Sequence, residues 1–483
     1  MNPIVKTSVA AIFLLFFAAV PFRGSGENAK SAIDSLRSVR DGRLRPVENR
    51  SIRIYDVVIP RNEVGSKLFR VNIHPVMDSL LTPDVEKRIL SEINGRCDAI
   101  GMDTLRSSDL FWVMKPYFEW LRNIDPHYRI VPTYGIRARK EERKIRSLRV
   151  PEFDLLRIGD TVIVNSSLNP DFRRGDRILV INGVDMSEYL KYNYHDRYTT
   201  PEILMHYYYN SEVTDRFDFV VERAGAVLEI STEGGESADV RVGLSRMREL
   251  TARTFPDAEC GYVSIPEFYP DNSRLIKTLR RHILNFKNQG ITDVILDLRM
   301  NPGGNGNRFD ELISIFVDKR SVKYCRSQRV KCSRTSMRLW SFLNESQIGE
   351  NVEIPDAVKE FPLIPEMYVS GMKYYVMMSE STGSIASSFC NILQYNDAAL
   401  LVGEPQLRNS IRYGECEYGF GLLPTALRQD GISLVEIDEY TKASDGILMP
   451  DIPIPYVASE WLDGRDAMLD DMLGFIVSGR GNK

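Results

Sequence analysis

The segment that most narrows the fold of this chain runs from Val294 to Asn307, VILDLRMNPGGNGN, an apolar strand feeding directly into a turn with two adjacent glycines. Gly303 and Gly304 can take backbone angles closed to other residues, so successive N–H groups can converge on one point. Phe309, Leu312, Ile313 and Phe316 then recur at helical spacing. That spacing predicts a helix N-terminus at the glycine turn, a setting that favours developing negative charge. Strand, glycine turn and helix together make an α/β core the expected architecture.

A second segment of the same kind lies downstream. MKYYVMMSESTGSIASSFCNILQYNDAALLVGEP, Met372 to Pro405, places a serine-rich turn between an apolar strand and a helix that Ser384 opens. A serine there either caps the helix with its hydroxyl or exposes that hydroxyl at the sheet edge as a nucleophile. From Gly261 onward strands and helices alternate: GYVSIPEF, a helix over 274–288, the strand at Val294, a helix, YYVMM, another helix and AALLV. Such alternation implies parallel strands with crossover helices.

At 483 residues the chain is too long for one ordinary core. Its net charge of -4 comes from interspersed acidic and basic residues, which points to neither nucleic acid nor an anionic surface as partner. Lys6 precedes an apolar run from Val9 to Val20, followed by small residues around Gly24 to Gly26, the pattern of an export signal. That run is short for a membrane span and no second one follows, so no stable span is expected once the signal is cleaved. The six cysteines show no CxxC spacing, which argues against zinc. Cys325 and Cys332 could close a short hairpin, or all could be buried thiols.

Upstream, residues 75–134 carry helical apolar faces through Val85, Ile89 and Ile93 and again through Leu110, Val113, Met114, Phe118 and Leu121. The charged run RARKEERKIRSLR, Arg137 to Arg149, reads as a solvated linker or exposed helix. Between Leu155 and Ser231 strand-like runs flank a tyrosine-rich stretch. There GDRILVING, Gly175 to Gly183, resembles a PDZ domain, in which a Gly-Asp turn leads into a strand ending at an Asn-Gly turn. That resemblance implies a domain that adds an extended peptide to a sheet edge.

Taken in order, DLRMNPGG, GSIASSF, GEP at Gly403 to Pro405 and GILMPDIPIP at Gly446 to Pro455 resemble the C-terminal-processing or tail-specific serine proteases, and within them the tricorn-related branch. The resemblance implies an α/β, crotonase-like protease core with parallel strands and crossover helices, preceded by a small helical N-terminal domain and a PDZ-like β-rich domain. The expected layout is a signal over 1–26, the helical domain and linker over 27–150, the PDZ-like domain over 151–240 and the core over 241–483. Ser384 is then the implied nucleophile, with the N–H of Ile385 and that of Gly303 or Gly304 holding the oxyanion. Asp297 and Arg299 are expected to shape the turn as a buried pair.

In much of that family a lysine after the GEP turn serves as base. GEPQLRNSIRYGE has none: the position falls on Asn409, and Arg408 and Arg412 do not release protons. The tricorn-related branch instead uses a histidine in a turn after a helix, and IDPHYRI offers His127 there, with proline and tyrosine departing from the family pattern. An imidazole can take the serine proton and return it to the leaving amine if its tautomer is held. Glu415 matches a glutamate of that branch and could hold it, with Asp125 as the local alternative. His74, His195, His206 and His282 read as structural. The expected activity is that of an exported, periplasmic or extracellular serine endopeptidase acting on peptides or unfolded protein segments without cofactor or metal. A non-catalytic peptide-binding protein of the same fold is the alternative.

Overall fold

A computed structural model of the chain describes residues 59–60, 74–76, 80–101, 104–105, 107–132, 149–191, 198–199, 216–247, 249–268, 272–406, 413–423, 427–442, 447–462 and 464–481. The expected signal, most of the charged run and of the tyrosine-rich stretch, His195, His206 and Asn409 lie outside them. Among the described residues no helix is long and apolar enough to cross a membrane.

The N-terminal part is helical, as its periodicity predicts. Helix α1 (Pro83–Ile100) starts at Thr82, whose hydroxyl accepts the Val85 N–H, and ends at Gly101 in the left-handed region. Helix α2 (Ser107–Ile124) runs into a tight turn and then a strand, β1 (Arg129–Pro132).

Five longer strands follow: β2 (Phe153–Ile158), β3 (Thr161–Ser167), β4 (Arg177–Ile181), β5 (Arg216–Arg223) and β6 (Ala226–Glu233). They form an antiparallel sheet in the order β6-β5-β4-β3-β2. Phe153, Phe172, Phe217 and Phe219 fill its core. The Asn-Gly turn expected after β4 is present: Asn182 and Gly183 both have positive φ, 51° and 76°, the combination a tight hairpin turn requires.

The remaining chain builds a six-stranded sheet from β7 (Thr251–Phe255), β8 (Cys260–Ser264), β9 (Asp293–Asp297), β11 (Lys373–Met378), β12 (Ala399–Gly403) and β15 (Ile452–Pro453), in that order. Only β7 is antiparallel to its neighbour. Strand β9 is buried along its whole length, the pattern of a parallel strand covered on both faces. Its Val294 and Leu296 join one core with Leu279 and Ile283 of helix α3 (Ser273–Asn288) and Phe389 of helix α5 (Ile385–Tyr395). Ile295 points the other way, into a core with Trp461 and with Met468 and Met472 of the C-terminal helix α6 (Ala467–Gly481).

A second, antiparallel sheet flanks this core. It is built on β10 (Cys325–Lys331), β13 (Tyr413–Leu423) and the long β14 (Leu427–Glu439). Strand β1 of the N-terminal part adds to β14, pairing Arg129 with Asp430 and Pro132 with Leu427. The turn after α2 is thereby laid against the C-terminal half of the chain. Cys97, Cys260, Cys325, Cys332 and Cys390 are buried free thiols, so Cys325 and Cys332 do not close a disulfide.

One local expectation fails. The helix after the glycine turn, α4 (Phe309–Ser314), has only six residues and starts from Arg308 in the left-handed region, several residues beyond Gly304. The stretch NGNR between them is held instead by side chains: Asn305 Oδ1 accepts the Asn307 N–H, and Asn272 Nδ2 donates to the carbonyls of Asn305 and Asn307. Local Asn-backbone bonds compete with helix here, so the glycine turn is not a helix N-terminus.

Candidate active site

Strands β9, β11 and β12 run parallel, and the DLRMNPGG, STGS and GEP segments leave their C-terminal ends. In open parallel sheets that edge is where ligand sites are built. The two segments singled out by sequence meet there. A Cβ placed on Gly303 would lie 2.6 Å from Ser384 Cβ and 3.2 Å from the Ile385 nitrogen.

Hydrogen bonds fix this approach. Thr382 Oγ1 donates to the Leu298 carbonyl, Ser379 Oγ donates to the Arg299 carbonyl, and the Gly383 N–H donates to the Asn301 carbonyl. The serine loop is thus strapped to the β9 loop at three points. Gly304 is needed because its backbone presses against β8's extension: an added Cβ would fall 1.9 Å from the Phe268 carbonyl oxygen.

Ser384 sits at the start of α5 with φ 51° and ψ −128° and makes no capping hydrogen bond through its side chain. A capping serine takes extended backbone and bonds a first-turn N–H; this one does neither. Such strained backbone angles in a non-glycine residue persist only where the surroundings enforce them. Among the described residues its hydroxyl has no hydrogen-bond partner. Behind it, the Ala386 and Ser387 N–H groups return to the Gly383 carbonyl and the Ser388 N–H to that of Ser384, while the Ile385 N–H makes no bond among the described residues.

The two glycines are not equivalent. The Gly303 N–H donates to Asn301 Oδ1 at 2.9 Å, whereas the Gly304 N–H has no such partner among the described residues. Asn301 in turn is anchored by Nδ2 on the Ile265 carbonyl. Asp297 and Arg299 form a buried bidentate pair, extended by Tyr262 on Asp297 and by Asp466 of the segment entering α6 on Arg299. Burial disfavours the Asp466 charge, but Arg299 overrides it and draws the carboxyl down to about 2. This network shapes the loop and ties α6 to it.

His127 lies in a second cluster, on the turn between α2 and β1. Pro126 presets that turn, which the Tyr128 N–H closes on the Asp125 carbonyl and Arg122 pins through the Tyr128 carbonyl. Asp125 Oδ1 is 2.8 Å from His127 Nδ1 and also accepts the His127 N–H. Ser433 of β14 brings its N–H to Asp125 Oδ2 and its hydroxyl to 3.4 Å from His127 Nδ1. Burial works against the Asp125 charge, yet His127 and the donors around it hold the carboxyl well below the usual carboxylate range. With Nδ1 occupied, Nε2 of His127 is the nitrogen left to accept a proton.

Asp125 is thus a carboxylate held on the His127 ring, and Glu415 falls on β13. No hydrogen bond links His127 to Ser384 among the described residues. Ser433, in an unremarkable strand, gives no sequence signal, whereas Asn301 stands inside the DLRMNPGG motif. Among the described residues no cluster of His, Cys, Asp or Glu gathers as a metal site.

A strained serine at a helix start, packed on a glycine loop at the C-terminal edge of a parallel sheet, is an arrangement that serine hydrolase chemistry can use. Residues 259–410 match peptidase family S41, which supports a serine-type peptidase. In solved structures the fold resembles mature CPAF (14% identity, 78% of this chain and 89% of that one, TM-score 0.50) and mature CPAF complexed with lactacystin (14%, 78% and 90%, TM-score 0.51). The tricorn protease is also similar, at 14% identity, over 87% of this chain and 36% of that one, with a TM-score of 0.35. No curated protein matches the sequence.

Proposed function

We propose that this chain is an exported serine endopeptidase that cleaves peptides or unfolded protein segments through an acyl-enzyme formed on Ser384. The observation that carries the reading is the strained, uncapped Ser384 held against the Gly303–Gly304 loop. In the reaction, His127 Nε2 takes the proton as Ser384 Oγ attacks the peptide carbonyl. The N–H groups of Ile385 and Gly304 receive the oxyanion, Gly303 being engaged by Asn301. His127 then delivers its proton to the leaving amine, and water repeats the sequence to release the acyl group. Asp125 holds the imidazole and stabilises its charged form. The six-stranded sheet is read as a crotonase-like core and residues 151–240 as a PDZ-like domain that selects or gates substrate. Export, to periplasm or medium, rests on the basic residue and apolar run at the N-terminus.

A second reading, a peptide-binding protein of this fold without turnover, draws on the absence of a hydrogen bond between His127 and Ser384. Cleavage of an unfolded protein by the parent, Ser384→Ala and His127→Ala separates the two. Turnover in the parent alone supports the protease. Saturable peptide binding that Ser384→Ala leaves intact, with no turnover by the parent, supports the binding protein.

A further inference from the structure

His74, read from sequence as structural, occupies a place that a merely structural histidine does not need. It is fully buried (0% exposed) in the segment preceding α1, and its ring lies 4.8 Å from that of Tyr413 on β13. Nε2 is 3.3 Å from Asp125 Oδ2, the oxygen that does not face His127. The contact falls short of a well-formed hydrogen bond, and among the described residues Nε2 has no other acceptor. On the other side of the ring, Nδ1 accepts the Val76 N–H at 3.4 Å. That bond assigns the proton to Nε2, so His74 presents an N–H to Asp125.

We propose that His74 is a positioning residue, which holds Asp125 from behind so that the carboxylate fixes the tautomer and basicity of His127; this rests on His127 acting as the base. The arrangement is imidazole, carboxylate, imidazole, with Ser433 completing the shell. Donors on both oxygens share out the carboxylate's charge, so less of it is available to stabilise a protonated His127. Among the described residues, Asp125, His127 and Tyr413 are the titratable groups facing this cluster, and Glu436 on β14 pairs in register with Tyr413. Loss of the His74 donor leaves a more basic Asp125 and hence a His127 that holds its proton to higher pH.

Two variants separate this role from packing. His74→Phe keeps a ring against Tyr413 without a donor, and His74→Gln keeps a donor without the ring. NMR titration of labelled histidines in the full chain should show the His127 midpoint about one unit higher in His74→Phe and near the parent in His74→Gln. The acid limb of kcat/KM should move the same way, with kcat down about tenfold in His74→Phe. An unmoved His127 midpoint in a folded His74→Phe overturns the proposal. So does a 15N spectrum of the parent that places the His74 proton on Nδ1, a result that needs no variant to fold. A parent that shows the predicted titration but no cleavage counts against the protease reading alone.

Discussion

Glu439, at the end of β14, is a carboxyl buried under α5, and Arg326 reaches only its backbone carbonyl. It accepts from the Ser388 hydroxyl and from Asn391 Nδ2 at 2.8 Å, two residues of α5. Burial pushes it up to about 7, against the pull of those donors. A folded chain that holds a proton the unfolded chain has lost is stabilised by acid. Glu439 should favour folding most below about pH 4.5 and lose that contribution, about 3 kcal/mol, as pH rises to about 7. Urea unfolding midpoints of parent and Glu439→Gln at pH 5 and pH 8 check this. The parent should drop more than the variant, whose amide can still satisfy Ser388 and Asn391; equal drops would refute a protonated Glu439. Asn301 offers a second residue-scale prediction. Asn301→Ala frees the Gly303 N–H and removes the anchor on Ile265, so kcat should fall at least tenfold while KM changes little. A rise in KM with kcat unchanged would place Asn301 in substrate binding instead.

Among the elements, the parallel strands were the most legible, because β9 and β11 carry the apolar runs VIL and YYVMM bounded by charged residues and polar turns. The residues of the serine and glycine segments were legible for the same reason: each motif is contiguous, and its chemistry lies in adjacent amides. What sequence could not show was competition between local bonds. The period of Phe309, Leu312, Ile313 and Phe316 promised a helix from the glycine turn, but Asn272, Asn305 and Asn307 took up the backbone groups that would have begun it. Likewise, the pairing of Asp125 with His127 depended on a turn that Pro126 presets. The buried ion cluster belongs to this scale too, since Arg299 joins the β9 loop to the start of α6 through Asp297 and Asp466. Arg299→Met would strip the cation from Asp297, which keeps the Tyr262 hydroxyl, and leave Asp466, among the described residues, only its longer ion pair with Arg174. It should cost about 3 kcal/mol or more, seen as a lower thermal midpoint. An unchanged midpoint would mean that α6 is held by Trp461 and the apolar core alone.

At the scale of the molecule, the stretch matching the peptidase family, 259–410, contains Ser384 and the glycine loop but not His127. The histidine comes from a part of the chain separated from that stretch by the whole antiparallel sheet of β2 to β6. Main-chain pairing ties it to the C-terminal half: β1 adds to β14, with Ile130 opposite Gln429, and the Asp125–His127 turn rides on that strand to Ser433. In the proposed mechanism the base therefore depends on a long-range ladder between β1 and β14. Breaking the ladder should disable the chemistry without touching any reacting group. Ile130→Pro removes a backbone donor and cannot continue a paired strand, whereas Ile130→Val preserves strand geometry. We expect Ile130→Pro to cut kcat by at least tenfold with far-UV circular dichroism near that of the parent, and Ile130→Val to behave as the parent does. In hydrogen exchange, the amides of 427–430 should lose protection in the proline variant alone. Parental turnover with those amides exposed would show that the histidine arm reaches Ser384 by some route other than the β1–β14 ladder.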